Sequence, residues 1–116
     1  MSTNPVITIH EGNFEAEVIK APVPVLLDFN TTWCPPCRLL APILHKLAEE
    51  NAGRIKVGTV DGDEQAEMAA RFRIKAFPTV VALVGGKEVA RHLGLTSKER
   101  LLQLVAAHVG ARPVAA

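Results

Sequence analysis

The chain has 116 residues, 13 basic against 12 acidic, a net charge of +1 and 48% hydrophobic residues. Such a length fits one domain, here 1–116, able to bury a core without a metal or a structural disulfide. The balanced charge lacks the basic footprint of a nucleic-acid binder; no apolar run reaches the span of a bilayer and no signal-like start is present, so a cytoplasmic protein without a membrane partner is expected.

In chain order, Pro5 precedes VITIH (6–10), an alternating run that reads as an edge strand. NFEAEVIK (13–20) reads as a helix with Phe14, Val18 and Ile19 as its apolar stripe. PVLLDFN (24–30) is apolar enough for a strand buried on both faces. On it, Val25, Leu27 and Phe29 share one face, and Leu26, Asp28 and Asn30 the other. From Cys34 to Asn51 the pattern turns helical, with Leu40, Ile43, Leu44 and Leu47 in one stripe. Pro42 is expected to bend that helix. RIKVGTVD (54–61) reads as a third strand. DEQAEMAARF (63–72) follows as a helix with Asp63 as cap. TVVALV (79–84), Gly85-Gly86 and KEVARHL (87–93) form a hairpin. Thr96 to Glu99 fits a capping box for a helix carrying Leu101, Leu102, Leu104 and Val105. Gly110 ends it, and ARPVAA is a frayed tail. The order β-α-β-α-β-α-β-β-α implies an α/β fold, a mixed five-stranded sheet with four helices over both faces.

Both cysteines of the chain lie in TTWCPPCRLL (31–40). Cys34 falls at the turn from a buried strand into a helix, where unpaired amides and the positive end of the helix dipole favour thiolate over thiol. Cys37, three residues on, lies within disulfide reach. Pro35 and Pro36 cost little in a first turn and stiffen the ring a disulfide would close. CxxC is also half of a zinc site, but zinc needs two more ligands, and His10, His45, His92 and His108 show no paired spacing. Two incidental buried cysteines are the remaining bland reading.

With its order and spacing of VLLDF, WC-P-C, the following AP, FPT, a hairpin glycine and LGLTSK, the chain resembles the thioredoxin family over nearly its whole length. The resemblance implies a protein thiol–disulfide oxidoreductase with no cofactor beyond the redox-active Cys34–Cys37 pair, and with no metal. Cys34 is implied as the attacking cysteine and Cys37 as the resolving one. Asp28 is implied as a buried carboxylate beneath the dithiol, with a raised pKa, that takes the Cys37 proton. Pro78 is implied to follow a cis bond from Phe77 in a loop against the cysteines, its flanking backbone free to pair with an extended partner. Trp33, Pro35, Phe77, Pro78 and Gly94 are the implied partner-contact residues. The partners would be disulfide-containing proteins and a thioredoxin reductase using a nicotinamide cofactor and flavin; a monomer is the simplest state.

Three positions depart from the family: Pro35 stands where glycine is commonest, Asn30 where a second tryptophan is usual, and Thr59 where a lysine usually approaches the aspartate. Loss of that cation favours a still higher Asp28 pKa. The rival reading is a non-enzymatic binding or assembly module using the surface around Trp33 and Pro78.

Overall fold

A computed structural model describes residues 4–109. Five strands form one sheet in the order β1-β3-β2-β4-β5: Val6–Thr8, Val25–Asn30, Lys56–Asp61, Thr79–Val84 and Lys87–Leu93, numbered along the chain. β1 and β2 run parallel to β3; β4 lies antiparallel to β2, and β5 to β4. The helices are α1 (Glu11–Phe14, continuing as a π turn over Glu15–Ile19), α2 (Pro35–Glu50), α3 (Ala66–Arg71) and α4 (Lys98–Val109). The mixed five-stranded sheet flanked by four helices is the α/β architecture expected from the alternation of elements.

The sheet is covered on both sides because β2, at its centre, is apolar on both. Leu26 joins Val57, Val80 and Ala82 against Leu40, Leu44 and Leu47 of α2 and Leu101, Leu104 and Val105 of α4. Val25, Leu27 and Phe29 join Val60, Val81 and Leu83 against Ile9, Val18 and Met68. The hairpin between β4 and β5 turns on Gly85 and Gly86 at φ +59 and +83. Those are the left-handed values a two-residue type I′ turn requires of its central pair.

Local details differ from the sequence reading. The first helix starts at Glu11 rather than Asn13, because His10 and Asn13 close a reciprocal cap. The His10 ring accepts from the Gly12 amide, and the Asn13 side chain accepts from the His10 amide. Its end widens into a π turn, with the Lys20 amide donating to the Glu15 carbonyl. A wider turn shifts the side-chain stripe, so Val18 is buried but Ile19 is exposed and lies beside Gly86. Asp63 does not cap α3. Asp61 Oδ1 instead accepts the amides of Asp63 and Glu64, an Asx turn that delays the helix to Ala66. Ser97 rather than Thr96 caps α4, accepting from the Arg100 amide. Arg100 then occupies the third helical position and offers no acceptor to complete a capping box. Pro42 lies inside α2, as the helical pattern from Cys34 to Asn51 implied. The expected stop at Gly110 and the tail lie outside the described residues.

Candidate active site

Cys34 is the N-cap residue of α2, its backbone extended (φ −100, ψ 109), and Pro35 and Pro36 fill the first two helical positions. Neither proline has an amide, so the first amide the helix presents is that of Cys37, and it donates to Cys34 Sγ at 3.3 Å. An N-cap side chain takes its hydrogen bonds from the second and third helical amides, not the first. The amide lost to Pro35 is therefore one that Sγ is badly placed to use, and the one lost to Pro36 counts for more. The Arg38 amide is occupied by the Cys34 carbonyl. Cys34 and Cys37 form a disulfide with Cα atoms 5.2 Å apart, and each residue is only 4% exposed in this oxidised form.

The loop before β4 closes over the pair. The Phe77–Pro78 bond is cis, and the Phe77 carbonyl oxygen lies 3.5 Å from Cys34 Sγ. The loop's other carbonyls are engaged: that of Ala76 accepts from Thr79 Oγ1, and that of Pro78 from the Gly94 amide. The backbone left without a backbone partner among the described residues is thus narrower than the resemblance implied and centres on Phe77. Gly94 sits at φ +92, a conformation that suits glycine, with open space where a Cβ would stand.

Trp33 is 63% exposed. Its indole Nε1 donates to Asp63 Oδ2 at 2.9 Å, and its ring meets Phe77 edge-on at 6.3 Å between centroids. An exposed indole held at two points offers contact area with little rotamer freedom left to lose. Asp63, expected as a helix cap, was thus missed as a member of the site. No local pattern links residues 33 and 63, which the β2–α2 and β3–α3 loops bring together.

Beneath the dithiol lies an open cleft of about 440 Å³, lined by Asp28, Asn30, Cys37, Arg38, His45 and Thr59, among others. Asp28 is 3% exposed. Burial pushes its carboxyl from the ordinary 3.8 up to about 6, and a hydrogen bond from Asn30 pulls the other way. Asn30 Nδ2 lies 3.1 Å from Asp28 Oδ2 and also bonds Thr59 Oγ1, while Asp28 Oδ1 has no partner among the described residues. Two of the positions that depart from the family pattern, Asn30 and Thr59, are therefore in contact with each other, and the carboxylate lies against them.

Among the described residues no cluster of three or more His, Cys, Asp or Glu could hold a metal ion, and no helix is long and apolar enough to cross a membrane.

A protein-family model described as Thioredoxin matches residues 5–107. Among curated proteins, the chain is 34% identical to a thioredoxin of Haemophilus influenzae over 90% of its own length and 97% of that protein's. It is 36% identical to thioredoxin 1 of a Nostoc species, over 87% and 94% of the two chains. A bifunctional thioredoxin reductase/thioredoxin of Mycobacterium leprae is 37% identical across 84% of this chain, which matches 21% of that longer protein.

Proposed function

The chain belongs to the thioredoxin family and is a protein thiol–disulfide oxidoreductase; from that premise we propose that Cys34 attacks, Cys37 resolves and Asp28 takes up the proton released between the two steps. The observation that carries this reading is the placement of the Cys34–Cys37 disulfide at the N-terminus of a 16-residue helix, with Cys34 Sγ receiving the Cys37 amide.

In the reduced protein, that amide and the helix dipole stabilise a Cys34 thiolate. The thiolate attacks one sulfur of a partner disulfide; a Cys34–partner bond forms and the other partner sulfur leaves as thiolate. Asp28 carboxylate then removes the Cys37 proton across the shared cleft. Cys37 thiolate attacks Cys34 Sγ, closing the intramolecular disulfide and expelling the second partner thiolate. Two electrons have passed from the dithiol to the partner. The redox group is the cysteine pair itself, as the family requires no further cofactor.

The proposed partner surface is Trp33, Pro35, Phe77, Pro78 and Gly94, with the Phe77 backbone pairing to an extended partner segment. Disulfide proteins and a reductase are the partners the family implies. The fusion of the two activities in the Mycobacterium leprae relative supports a thioredoxin reductase as electron source. A catalytic dithiol suits a reducing compartment, so we place this single-domain protein in the cytoplasm, as a monomer.

The decisive test supplies dithiothreitol and follows cleavage of insulin's interchain disulfides. Activity is expected from the native chain and none from Cys34→Ser, whereas a binding module would keep its function in that variant. Cys37→Ser should accumulate mixed disulfides with partners, and Asp28→Asn should slow resolution by about 10²-fold while leaving initial attack nearly unchanged. Faster alkylation of Cys37 than of Cys34 would reverse the assigned roles.

A further inference from the structure

Asp28 is a nearly fully buried acid that the mechanism needs as an anion, and lone buried carboxylates resist ionisation. Among the described residues, the ionisable groups that line its cleft besides Asp28 come from α2: Arg38 and His45, beside Cys37 itself. Arg38 is engaged elsewhere, donating to the Thr32 carbonyl, and His45 lies 3.9 Å from Glu49. β1 and β3 bring Val6 and Thr59 to the cleft, both neutral. On the far side of β4, Val80 separates Asp28 from His92 in register. The group that touches the carboxylate is the Asn30 amide.

That amide is itself fixed. β2 and β3 pair in register, Asp28 opposite Thr59, and Asn30 lies two residues beyond Asp28 on the same face. Its Nδ2 reaches Thr59 Oγ1 across the strands and Asp28 Oδ2 along the strand. With both donors committed, the amide cannot swing into the cleft, and it ties down one carboxylate oxygen only.

We infer that Asn30, locked by Thr59, is a positioning residue for the resolving step: it holds Asp28 Oδ2, leaves Oδ1 as the oxygen that receives the Cys37 proton, and sets the pH at which resolution runs. A hydrogen bond to the charged form favours that form, so the neutral dyad does part of what a nearby cation would do. The inference rests on the proposed role of Asp28, and its test separates the two.

The test follows the Asp28 carboxyl carbon by NMR across a pH titration of the reduced protein, alongside the pH profile of mixed-disulfide resolution. Asn30→Leu keeps the branched outline at some gain in volume and removes the donor. It should raise the carboxyl midpoint by about one pH unit, a roughly tenfold change in its ionisation equilibrium, and move the resolution profile up with it. Thr59→Val, which removes only a hydroxyl, should shift both in the same direction by a few tenths of a unit and serves should Asn30→Leu not fold. In an Asp28→Ala background neither substitution should alter the resolution profile.

An unmoved or lowered carboxyl midpoint overturns the inference, as does a kinetic shift that persists without Asp28. A resolution rate unchanged in Asp28→Asn would instead overturn the proton-transfer role itself, and would be seen before either dyad variant is made.

Discussion

Val25, Leu27 and Phe29 leave one face of β2 and Leu26, Asp28 and Asn30 the other, and the two faces meet different surroundings. The first face is sealed along its length by Ile9, Val18, Met68 and the neighbouring strands. The second is sealed only where Leu26 meets α2 and α4; from Asp28 onward it borders the open cleft below the dithiol. One strand therefore carries a sealed apolar face on one side and a buried acid beside a cleft on the other. The difference shows where a buried polar group can be kept: at the end of a strand, beside a cavity, next to a fixed amide. The same carboxylate on the Phe29 side would have no such outlet.

The largest effect should come from breaking the sealed face. Phe29 is fully buried and packs its ring against Phe72 at 5.4 Å between centroids. Phe29→Ala should lose about 3–5 kcal/mol in denaturant unfolding, the transfer energy plus a cavity that strands on both sides cannot collapse to fill. A loss below about 1 kcal/mol would mean that the two faces are not so different after all.

On the cleft face, removing the functional group should have the opposite sign. Asp28 has a folded-state pKa of about 6 against an ordinary 3.8. Between those values the folded state binds the proton that the unfolded state has lost, so stability falls as pH rises through the interval. Below about pH 4 the group costs nothing by this route; above about pH 6 it costs roughly 3 kcal/mol, at 1.36 kcal/mol per unit. Asp28→Asn should thus stabilise the protein at pH 8 by up to about 3 kcal/mol and by little at pH 3.5, measured by urea unfolding at each pH. A gain that does not depend on pH would refute the burial account. A destabilising residue kept at that place is what the proposed proton-transfer role of Asp28 accounts for, a trade of stability for activity.

Much of this was legible in the chain. The alternating faces of β2, the Gly85-Gly86 turn and the dithiol at a strand-to-helix junction are all local patterns, written within a few residues. The direction of the Asp28 shift came from the resemblance to the family, since the strand pattern by itself also fits a polar position on a partly wet face. What was not legible depends on register or on competition between near-equal caps. Asn30 and Thr59 are 29 residues apart, and only the parallel pairing of β2 with β3 brings them into contact. Trp33 and Asp63 meet through two loops whose course no spacing reveals. Asp61 rather than Asp63, and Ser97 rather than Thr96, take the turn and cap roles, and near-equal candidates one or two residues apart are not told apart by residue type. His10 was passed over as a cap because an imidazole acceptor is rarer there than a hydroxyl or carboxylate.

The smallest effects come from β3, where neighbouring residues sample the two faces. A Cβ on Gly58 would stand 2.7 Å from Ile9 Cγ1 and 3.1 Å from Leu27 Cδ1. The first of these atoms belongs to the branch of a buried side chain and cannot swing clear, so Gly58→Ala should cost about 1–3 kcal/mol by overpacking. Thr59 lines the cleft instead. A longer side chain there has room, and its stem can lie along the wall with its head toward water. Thr59→Lys gives up the hydroxyl that Asn30 bonds and should therefore cost no more than about 1 kcal/mol at pH 4, where Asp28 is protonated, the net worth of one hydrogen bond. At pH 8 the sign should reverse, since a cation beside the ionised carboxylate favours the folded state. A four-point set of unfolding curves, two variants at two pH values, reads both faces at once. Equal penalties for the two variants at pH 4 would place Thr59 in packed surroundings and count against a cleft open enough for the proposed proton transfer from Cys37.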